Sequence, residues 1–588
     1  MRIFSEETMI RTFFLVTSVA LLALSPVPGA QVAPDTSKNF PPVTKEMLAN
    51  PSPDDWLMYS RTYDAQRFSP LKQITRQNVG QLRQVFKKEL GMGNQESIPI
   101  VYRGVIYVAA PGASVLAIDA TTGTTIWEHK RPSGATRTKA IAIYEDMVFY
   151  SSPDGFIVAL DARTGQVKWE TKSSGNLTSG VIVADGKVLS GRACGTVRDN
   201  CYISAHDAKT GKEAWRFYTV PLAGEPGDET WGGSPPEGRL ASPWGLAGGY
   251  DPARRLIFWG IANPMPNTRA ARHGGNPRAI PMSSPAELYS NSTVALNPDT
   301  GKLVWYYQHL PGDDWDLDYT NERVLVRSVV NPDPKFVKWI NPDIPRNQPR
   351  DIALNVGEGG GIWALDRDTG RFLWANPFPY DTPEFLISKI DVKTGKTYIN
   401  ENVLVDTPGK RRTVCFWNTK SYWPMAYHPG VNSLFVSYNN NCLDMTAAAP
   451  ASEGKPAVAE LRAGVPRPGS KPEEFAGLAK INVATGEIRH IYTGRAPGQG
   501  AVLATAGDLV FWGDLDQKFR AFHAQSGEMV WETTLGGTIQ NSTITYAVNG
   551  KQYIAVLTGE GQLTAGLITQ ANLQPPRRYN ALYVFALP

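Results

Sequence analysis

The most regular feature of the sequence is a short hydrophobic run that ends in a polar turn and is followed by a tryptophan. The unit reads as a hydrophobic strand, then Asp-x-x-Thr-Gly or a close variant, then three residues and Trp. An Asp or Asn at the start of such a turn accepts hydrogen bonds from its own backbone, and Gly supplies the positive φ that a tight turn needs. Each unit therefore predicts a β-hairpin whose second strand carries the Trp, with the indole N–H near a turn carbonyl. Six full copies begin at Asp119, Asp161, Asp207, Asn297, Asp366 and His523, and a degenerate copy begins at Asn482.

The spacing of these units predicts the fold class. Adjacent copies follow each other after 42, 46 and 41 residues, which is the length of one four-stranded propeller blade. We therefore predict an all-β protein, a β-propeller that forms one domain over residues 31–588; the alternative is an array of sandwiches with a recurring turn. The gap between Asp207 and Asn297 is two periods, or one blade with a long insertion. Asp391 begins a similar turn only 25 residues after Asp366, which predicts an extra hairpin and not a new blade.

Composition narrows the class of protein further. The 588 residues include 54 Gly and 45 Pro, and 19% of them are charged while 42% are hydrophobic. This profile is typical of many short strands joined by tight turns, and it excludes disordered, coiled-coil and collagen-like chains. The formal net charge is only +4 and no basic run stands out. We therefore expect no nucleic-acid partner.

The N-terminus has the layout of a secretory signal. Residues 13–24 form an apolar run, and small residues follow it up to Ala30, which is a suitable cleavage point. The alternative is a membrane anchor, but the run of 12 residues is short of the roughly 18 that a spanning helix needs. We predict a signal peptide over residues 1–30, with Met1 or Met9 as the start, and no membrane anchor on the exported protein.

The cysteine count fits an exported protein. An oxidising compartment makes disulfides the default for the four cysteines. Cys194 and Cys201 are close enough in sequence to close a small loop, and Cys415 with Cys442 would close a longer one. The competing interpretation is a metal or haem site. No CxxC or CxxCH occurs, which excludes covalent c-type haem and zinc knuckles.

Three segments that break the repeat carry candidate chemistry. Residues 310–322 hold four Asp within six positions, and their mutual repulsion favours a bound cation over the alternative of an acidic surface loop. If this segment is extended, Asp316 and Asp318 point to the same face. Asn263 follows a hydrophobic strand and offers an amide oxygen that suits a hard cation, although Asn-Pro is also a simple turn signal. Trp244 stands among glycines and could offer a flat face to a planar ligand, or it could be a core residue.

Together with residues 54–82, these segments resemble the pyrroloquinoline-quinone (PQQ) dependent alcohol dehydrogenases over essentially the whole mature chain. The resemblance implies an eight-bladed propeller, PQQ as cofactor, and a Ca²⁺ or lanthanide ion beside it. It also implies a periplasmic enzyme that passes electrons to a separate cytochrome c. The residues that match the family's site are Asp316 as catalytic base; Asn263, Asp316 and Asp318 as metal ligands; and Glu96, Lys139, Thr178, Ser242 and Trp244 as cofactor contacts.

The sequence also departs from the family's pattern. The family's methanol and ethanol enzymes place adjacent cysteines over the quinone, whereas here that region has none and Lys139 stands nearest the family's Arg. Thr196 stands where the family has a metal-binding Glu, and Glu358 lies where a basic residue is usual. The second carboxylate, Asp318, marks lanthanide-using members, but the loss of the Glu returns the ligand charge to that of a calcium site. We therefore expect Ca²⁺ and keep a lanthanide as the alternative.

The substrate expectation follows from the same departures. The missing cysteine pair removes bulk above the quinone, which favours a bulky secondary alcohol, oxidised to a ketone by hydride transfer to PQQ. The resemblance extends to divergent members that oxidise the 3-hydroxyl of trichothecenes such as deoxynivalenol. The alternatives are a quinoprotein for small primary alcohols and a non-enzymatic exported propeller scaffold.

Overall fold

Almost all regular structure among the described residues is β-strand. The computed structural model describes residues 40–131, 138–194, 197–447, 460–540 and 542–588. The predicted signal peptide and Thr196 lie outside these ranges. The α-helices of the described residues are α1 (Lys45–Ala49), α2 (Arg269–Arg272) and α3 (Thr564–Ala571). In this part of the chain, no helix combines the length and the apolar character needed to cross a membrane.

The strands are short and follow one another along the whole chain. In the first half they are β1 (Phe68–Ser69), β2 (Arg83–Glu89), β3 (Ile100–Tyr102), β4 (Val105–Ala110), β5 (Ser114–Asp119), β6 (Thr125–Lys130), β7 (Ala142–Tyr144), β8 (Met147–Ser151), β9 (Phe156–Asp161), β10 (Val167–Lys172), β11 (Val181–Ala184), β12 (Lys187–Ser190), β13 (Tyr202–Asp207), β14 (Glu213–Tyr218), β15 (Leu240–Ala241), β16 (Gly249–Asp251), β17 (Leu256–Gly260), β18 (Pro264–Met265), β19 (Ser292–Leu296) and β20 (Leu303–Gln308). In the second half they are β21 (Val324–Val330), β22 (Trp339–Ile340), β23 (Gln348–Gly357), β24 (Gly360–Asp366), β25 (Phe372–Asn376), β26 (Ile387–Ile390), β27 (Thr397–Ile399), β28 (Arg412–Cys415), β29 (Ala426–His428), β30 (Ser433–Asn439), β31 (Asn441–Thr446), β32 (Leu461–Pro466), β33 (Ala476–Asn482), β34 (Ile488–Gly494), β35 (Leu503–Thr505), β36 (Leu509–Gly513), β37 (Lys518–His523), β38 (Met529–Thr534), β39 (Ile544–Val548), β40 (Lys551–Thr558) and β41 (Ala581–Ala586). Single 3₁₀ turns lie at Val79–Gln81, Arg198–Asn200, Asp228–Trp231, Pro236–Gly238, Glu401–Val403, Pro429–Val431 and Pro472–Glu474.

Strand pairing forms eight sheets of four or five strands among the described residues, and three smaller sheets, β15-β18, β26-β27 and β28-β31-β32. Antiparallel runs of consecutive strands form β3–β6, β7–β10, β11–β14 and β35–β38, the last extended by β1 in parallel. Three further sheets, β16-β17-β19-β20, β21-β23-β24-β25-β22 and β29-β30-β33-β34, contain longer excursions between their strands. In the eighth, β2 pairs with β41 beside β40 and β39, so strands from both ends of the chain share one sheet. The number of blades in the propeller stays a prediction.

The repeated motif forms the hairpins that its residues predict. In the first copy, Asp119 Oδ1 accepts hydrogen bonds from the backbone N–H of Thr121 at 2.8 Å and of Thr122 at 2.9 Å, and Gly123 has a φ of +77°. The tryptophan of each copy then reaches the neighbouring sheet. Three indole N–H groups donate to a turn carbonyl of the next sheet: Trp127 to Ala162, Trp169 to Ala208 and Trp215 to Pro298, at 3.0, 3.0 and 2.9 Å.

The packing of the tryptophan ring explains why several of these turns need glycine. A Cβ at Gly211 would lie 2.5 Å from the ring of Trp169, and a Cβ at Gly370 would lie 2.5 Å from the ring of Trp305. Trp305 departs from the prediction in one respect, because its buried indole N–H has no hydrogen-bond partner among the described residues. The indole hydrogen bond is therefore not common to all copies. The ring of Trp305 nevertheless packs on the backbone of Gly370, as the ring of Trp169 packs on that of Gly211.

The observed strands answer two questions that the repeat left open, the long gap after Asp207 and the turn at Asp391. The long gap after Asp207 holds one four-stranded sheet, with an excursion over residues 261–291 between β17 and β19, and the small sheet β15-β18. Asp391 forms the turn of the two-stranded sheet β26-β27, as predicted for an extra hairpin. Both predicted disulfides are also present, Cys194–Cys201 and Cys415–Cys442, and the second joins β28 to β31.

Candidate functional site

A cavity of about 280 Å³ brings together most of the side chains that the sequence singles out. Six of the eight predicted site residues line it, and they come from excursions and strand ends of different sheets. The lining residues are Asn176, Thr178, Ala193, Ser242, Trp244, Ala262, Asn263, Met265, Asp316, Asp318, Glu358, Trp417, Asn418, Arg462, Gln562 and Leu563. The volume lies just below the range of roughly 300–1,000 Å³ that is common for small-molecule sites.

The four aspartates of the acidic segment have two different roles. Asp313 is fully buried, and its carboxylate accepts hydrogen bonds from the backbone N–H of Trp315 at 2.6 Å and of Leu317 at 2.8 Å. Asp314 accepts from the N–H of Arg269 and of Val405, both at 2.6 Å. Burial raises the pKa of Asp313 to about 6 and that of Asp314 to about 7. The expectation that one cation gathers all four carboxylates is therefore wrong, because two of them shape the loop by binding backbone donors.

The remaining two aspartates, Asp316 and Asp318, both face the cavity. The reason differs from the predicted extended strand, since Asp316 has a φ of +66° in the left-handed region. Its own N–H donates to Asp313 Oδ1 at 3.0 Å, which holds this unusual backbone conformation in place. A loop conformation, and not a β-pleat, puts the two carboxylates on the same side.

Asp316 is held by an arginine that the sequence analysis does not identify. Arg462 Nη1 donates to Asp316 Oδ2 at 2.6 Å, and Arg462 Nη2 donates to the carbonyl of Trp315 at 2.8 Å. Arg462 belongs to β32, which pairs with β31 in the sheet that carries the Cys415–Cys442 disulfide. The two residues are 146 positions apart, so no local pattern connects them.

Asp318 connects the other two predicted segments. Its Oδ1 accepts the backbone N–H of Asn263 at 2.8 Å, and its Oδ2 accepts the indole N–H of Trp244. Burial raises the pKa of Asp318 well above its usual value, and the charges of Glu358 and Asp316 raise it further. Glu358 is buried beside it, with its N–H donating to the Asp318 carbonyl at 2.9 Å, and burial raises its pKa to about 8. These pKa shifts mark a site whose carboxylates gain from a nearby cation.

The donor atoms fit a hard cation. Asn263 Nδ2 donates to the Pro264 carbonyl at 3.1 Å, so the amide oxygen is the atom that Asn263 can offer to a cation. Each carboxylate oxygen of Asp318 accepts one hydrogen bond and keeps a second lone pair. Within the described part of the chain, no three His, Cys, Asp or Glu side chains are placed to hold a metal ion by themselves. The predicted set of Asn263, Asp316 and Asp318 contains only two acidic residues, and it is of the oxygen type that Ca²⁺ prefers.

Three of the residues predicted to contact the cofactor, Thr178, Ser242 and Lys139, lie near Trp244, which is half-buried. Thr178 Oγ1 donates to the Trp244 carbonyl at 3.1 Å, and Ser242 Oγ accepts the N–H of Cys194 at 2.9 Å. Lys139 Nζ lies 4.9 Å from the centre of the Trp244 ring, within the range of a cation–π contact. The flat indole, the hydroxyls and the ammonium group suit a planar, negatively charged quinone.

Glu96 and Lys139 are not among the residues that line the cavity. Both are buried, and Lys139 Nζ lies 3.1 Å from Glu96 Oε2. Glu96 Oε1 accepts the N–H of Gln562, which does line the cavity, at 2.7 Å. The Glu96–Lys139 pair therefore lies behind the cavity wall. Glu96 contacts Gln562 in the wall, and Lys139 contacts the Trp244 ring.

Comparison with known proteins places this arrangement in a family. The family model described as the β-propeller domain of PQQ-dependent glucose, ethanol and alcohol dehydrogenases matches residues 56–167, 170–335 and 476–554. The chain belongs to the PQQ-dependent alcohol dehydrogenase family, and the predicted family and propeller fold are confirmed.

Individual relatives agree over most of the chain. Quinohemoprotein alcohol dehydrogenase ADH-IIG of Pseudomonas putida is 30% identical over 579 residues, covering 90% of this chain and 76% of the relative. A quinoprotein ethanol dehydrogenase of Pseudomonas putida is 29% identical over 97% of this chain and 96% of its own. The solved structure of ADHIIG from Pseudomonas putida HK5 superposes with a TM-score of 0.79 at 28% identity, covering 93% of this chain and 83% of that one.

Proposed function

We propose that this protein is a PQQ-dependent dehydrogenase of the periplasm that oxidises a bulky secondary alcohol to a ketone. The observation that carries the proposal is Asp318, which joins Trp244 to the Asn263 segment at the cavity that also holds Asp316. This arrangement unites a flat aromatic face, oxygen donors for a cation and a carboxylate at one cavity. A non-enzymatic scaffold has no need for such a combination.

The protein's own residues have separable roles in this proposal. Asp316 takes the hydroxyl proton of the alcohol as general base, and Arg462 orients its carboxylate. Asn263, Asp316 and Asp318 would hold a Ca²⁺ ion. When bound, PQQ supplies the hydride acceptor and the cation polarises its carbonyl as a Lewis acid. The residues that would bind and orient PQQ are Glu96, Lys139, Thr178, Ser242 and Trp244.

The cavity wall supports an alcohol larger than ethanol. Met265, Trp417 and Leu563 give it apolar surface beside Asp316, and the region around Lys139 has no cysteine pair. The 3-hydroxyl of deoxynivalenol is one such substrate, and a soluble cytochrome c is the proposed electron acceptor. Small primary alcohols are the second candidate, because a relative that aligns over 97% of this chain is named a quinoprotein ethanol dehydrogenase.

The test is reconstitution of the full chain with PQQ and either Ca²⁺ or La³⁺, followed by dye reduction across an alcohol panel. The panel includes ethanol, cyclic secondary alcohols and deoxynivalenol. We expect faster reduction with the secondary alcohols than with ethanol. A preference for ethanol would favour the second candidate, and no dye reduction with any combination would favour a scaffold. Asp381→Asn, on an exposed carboxylate paired with Lys338, is the control variant and should behave as wild type.

A further inference from the structure

The charge of the cavity wall is unbalanced. Among the described residues that line it, the acidic ones are Asp316, Asp318 and Glu358, and the only Lys or Arg is Arg462. The nearby Lys139 and Glu96 form an ion pair at 3.1 Å and add no net charge. Arg462 is therefore the positive charge of this wall that a bound cation would meet, and it contacts one of the proposed ligands directly.

We propose that Arg462 sets the charge of this wall and thereby determines the preference for a divalent over a trivalent cation. The inference rests on the proposed function, in which Asn263, Asp316 and Asp318 hold the ion. The repulsion between Arg462 and a bound ion grows with the charge of the ion, so it disfavours La³⁺ more strongly than Ca²⁺. Removing the positive charge of Arg462 should therefore favour La³⁺ more than Ca²⁺.

Arg462 is well placed to have this effect. Its guanidinium contacts a proposed ligand directly, through the 2.6 Å bond from Nη1 to Asp316 Oδ2. The side chain is only 23% exposed, so water and salt screen its charge less than that of a surface arginine. The residue stands on a paired strand, with Arg462 opposite Met445 of β31, which fixes its position better than a loop would.

The positive charge of the cavity wall comes from a different position than the family resemblance leads one to expect. The family resemblance expects a basic residue where this chain has Glu358, and here the acidic residue lies at the cavity while Arg462 comes from another sheet. Glu358 and Arg462 therefore change the wall charge in opposite directions. Their substitution should shift the ion preference in opposite directions as well.

The experiment measures ion binding by the full chain with PQQ present, by titration calorimetry with Ca²⁺ and with La³⁺. We expect Arg462→Gln to raise the preference for La³⁺ over Ca²⁺ by roughly tenfold or more, the size of effect that one partly buried charge exerts at close range. Arg462→Lys keeps the charge and should keep the wild-type ratio. Glu358→Gln should lower the preference for La³⁺, and it provides the test if Arg462→Gln does not fold.

A matched control is Arg411→Gln, on an arginine that is 69% exposed and pairs with Asp444 of the same three-stranded sheet. It should leave the ratio unchanged. An unchanged ratio in a folded Arg462→Gln protein overturns the inference, and so does an equal shift in Arg462→Lys. If the wild type binds PQQ and both ions in these cases, the proposed function survives; a wild type that binds neither ion refutes both.

Discussion

The sharpest stability prediction concerns a buried ion pair that supports the acidic loop. Glu287 is fully buried, and its carboxylate accepts hydrogen bonds from Arg272 Nε at 2.7 Å and Nη2 at 2.8 Å. It also contacts His273 Nε2 at 2.8 Å. Arg272 Nη2 in turn donates to the carbonyl of Asp313 at 2.6 Å. Glu287→Gln leaves the Arg272 charge uncompensated in the interior and should destabilise both the fold and the loop that carries Asp316.

Two independent estimates give the magnitude. Burial alone would raise the pKa of Glu287, but Arg272 and His273 outweigh it and lower the pKa from 4.5 to about 2. A shift of that size corresponds to about 3 kcal/mol of folding free energy. Breaking a buried ion pair by removing one partner costs about 3–5 kcal/mol in other proteins. We therefore expect Glu287→Gln to lower the free energy of unfolding by about 3 kcal/mol near neutral pH.

The assay is urea unfolding at neutral pH and along an acid series. Because the folded-state pKa of Glu287 is depressed, its stabilisation is present above the unfolded-state value of about 4.5 and is lost as the pH falls toward about 2. The stability difference between wild type and Glu287→Gln should therefore shrink over that interval. The control is Glu401→Gln, which removes the partner of Arg278 in a pair where both side chains are at least half exposed and should cost less than about 1 kcal/mol. A loss as small as that in Glu287→Gln would refute the reasoning.

Three further changes test the site and its supports. Asp316→Asn should lower the turnover number by about 10²- to 10⁴-fold, the usual contribution of a general base, while PQQ binding measured by absorbance persists; retained activity would refute the assignment. Trp244→Phe keeps an aromatic face but removes the indole donor to Asp318, so calorimetry should show weaker Ca²⁺ and PQQ binding, and unchanged affinities would argue against this contact. Replacing Cys415 and Cys442 by Ser opens a loop of 27 residues and should lower the free energy of unfolding by about 3–4 kcal/mol; equal midpoints in urea would contradict the estimate.

The hairpins could be predicted from the sequence because their causes are local. In each full unit, the Asp, Asn or His, the Gly and the Trp lie within nine residues. In the first copy, the turn is closed by hydrogen bonds from Thr121 and Thr122 to Asp119. The docking of Trp169 on Gly211 could be expected as well, because the next copy of the motif supplies the glycine. What the repeat could not specify was which tryptophans also find a carbonyl.

From strand ends and the unusual acidic run alone, only part of the site could be predicted, whereas Thr178 and Ser242 depended on the family resemblance. Asp316, Asp318 and Asn263 have these features, and all three line the cavity. No such feature marks Arg462 in the sequence. Its partner Asp316 is 146 residues away, so no local pattern connects the two. The separate tasks of the four aspartates were also out of reach, since the donors that bind Asp314 come from remote segments of the chain.

The different roles of the four aspartates in the acidic loop have a physical reason. A loop that presents carboxylates to a cavity needs its own backbone donors satisfied, and buried N–H groups without a partner are costly. Asp313 supplies that partner three times, to the N–H groups of Trp315, Asp316 and Leu317. This hydrogen bonding fixes Asp316 in its left-handed conformation, which no strand would produce. The two buried carboxylates that bind backbone donors therefore allow Asp316 and Asp318 to face the cavity.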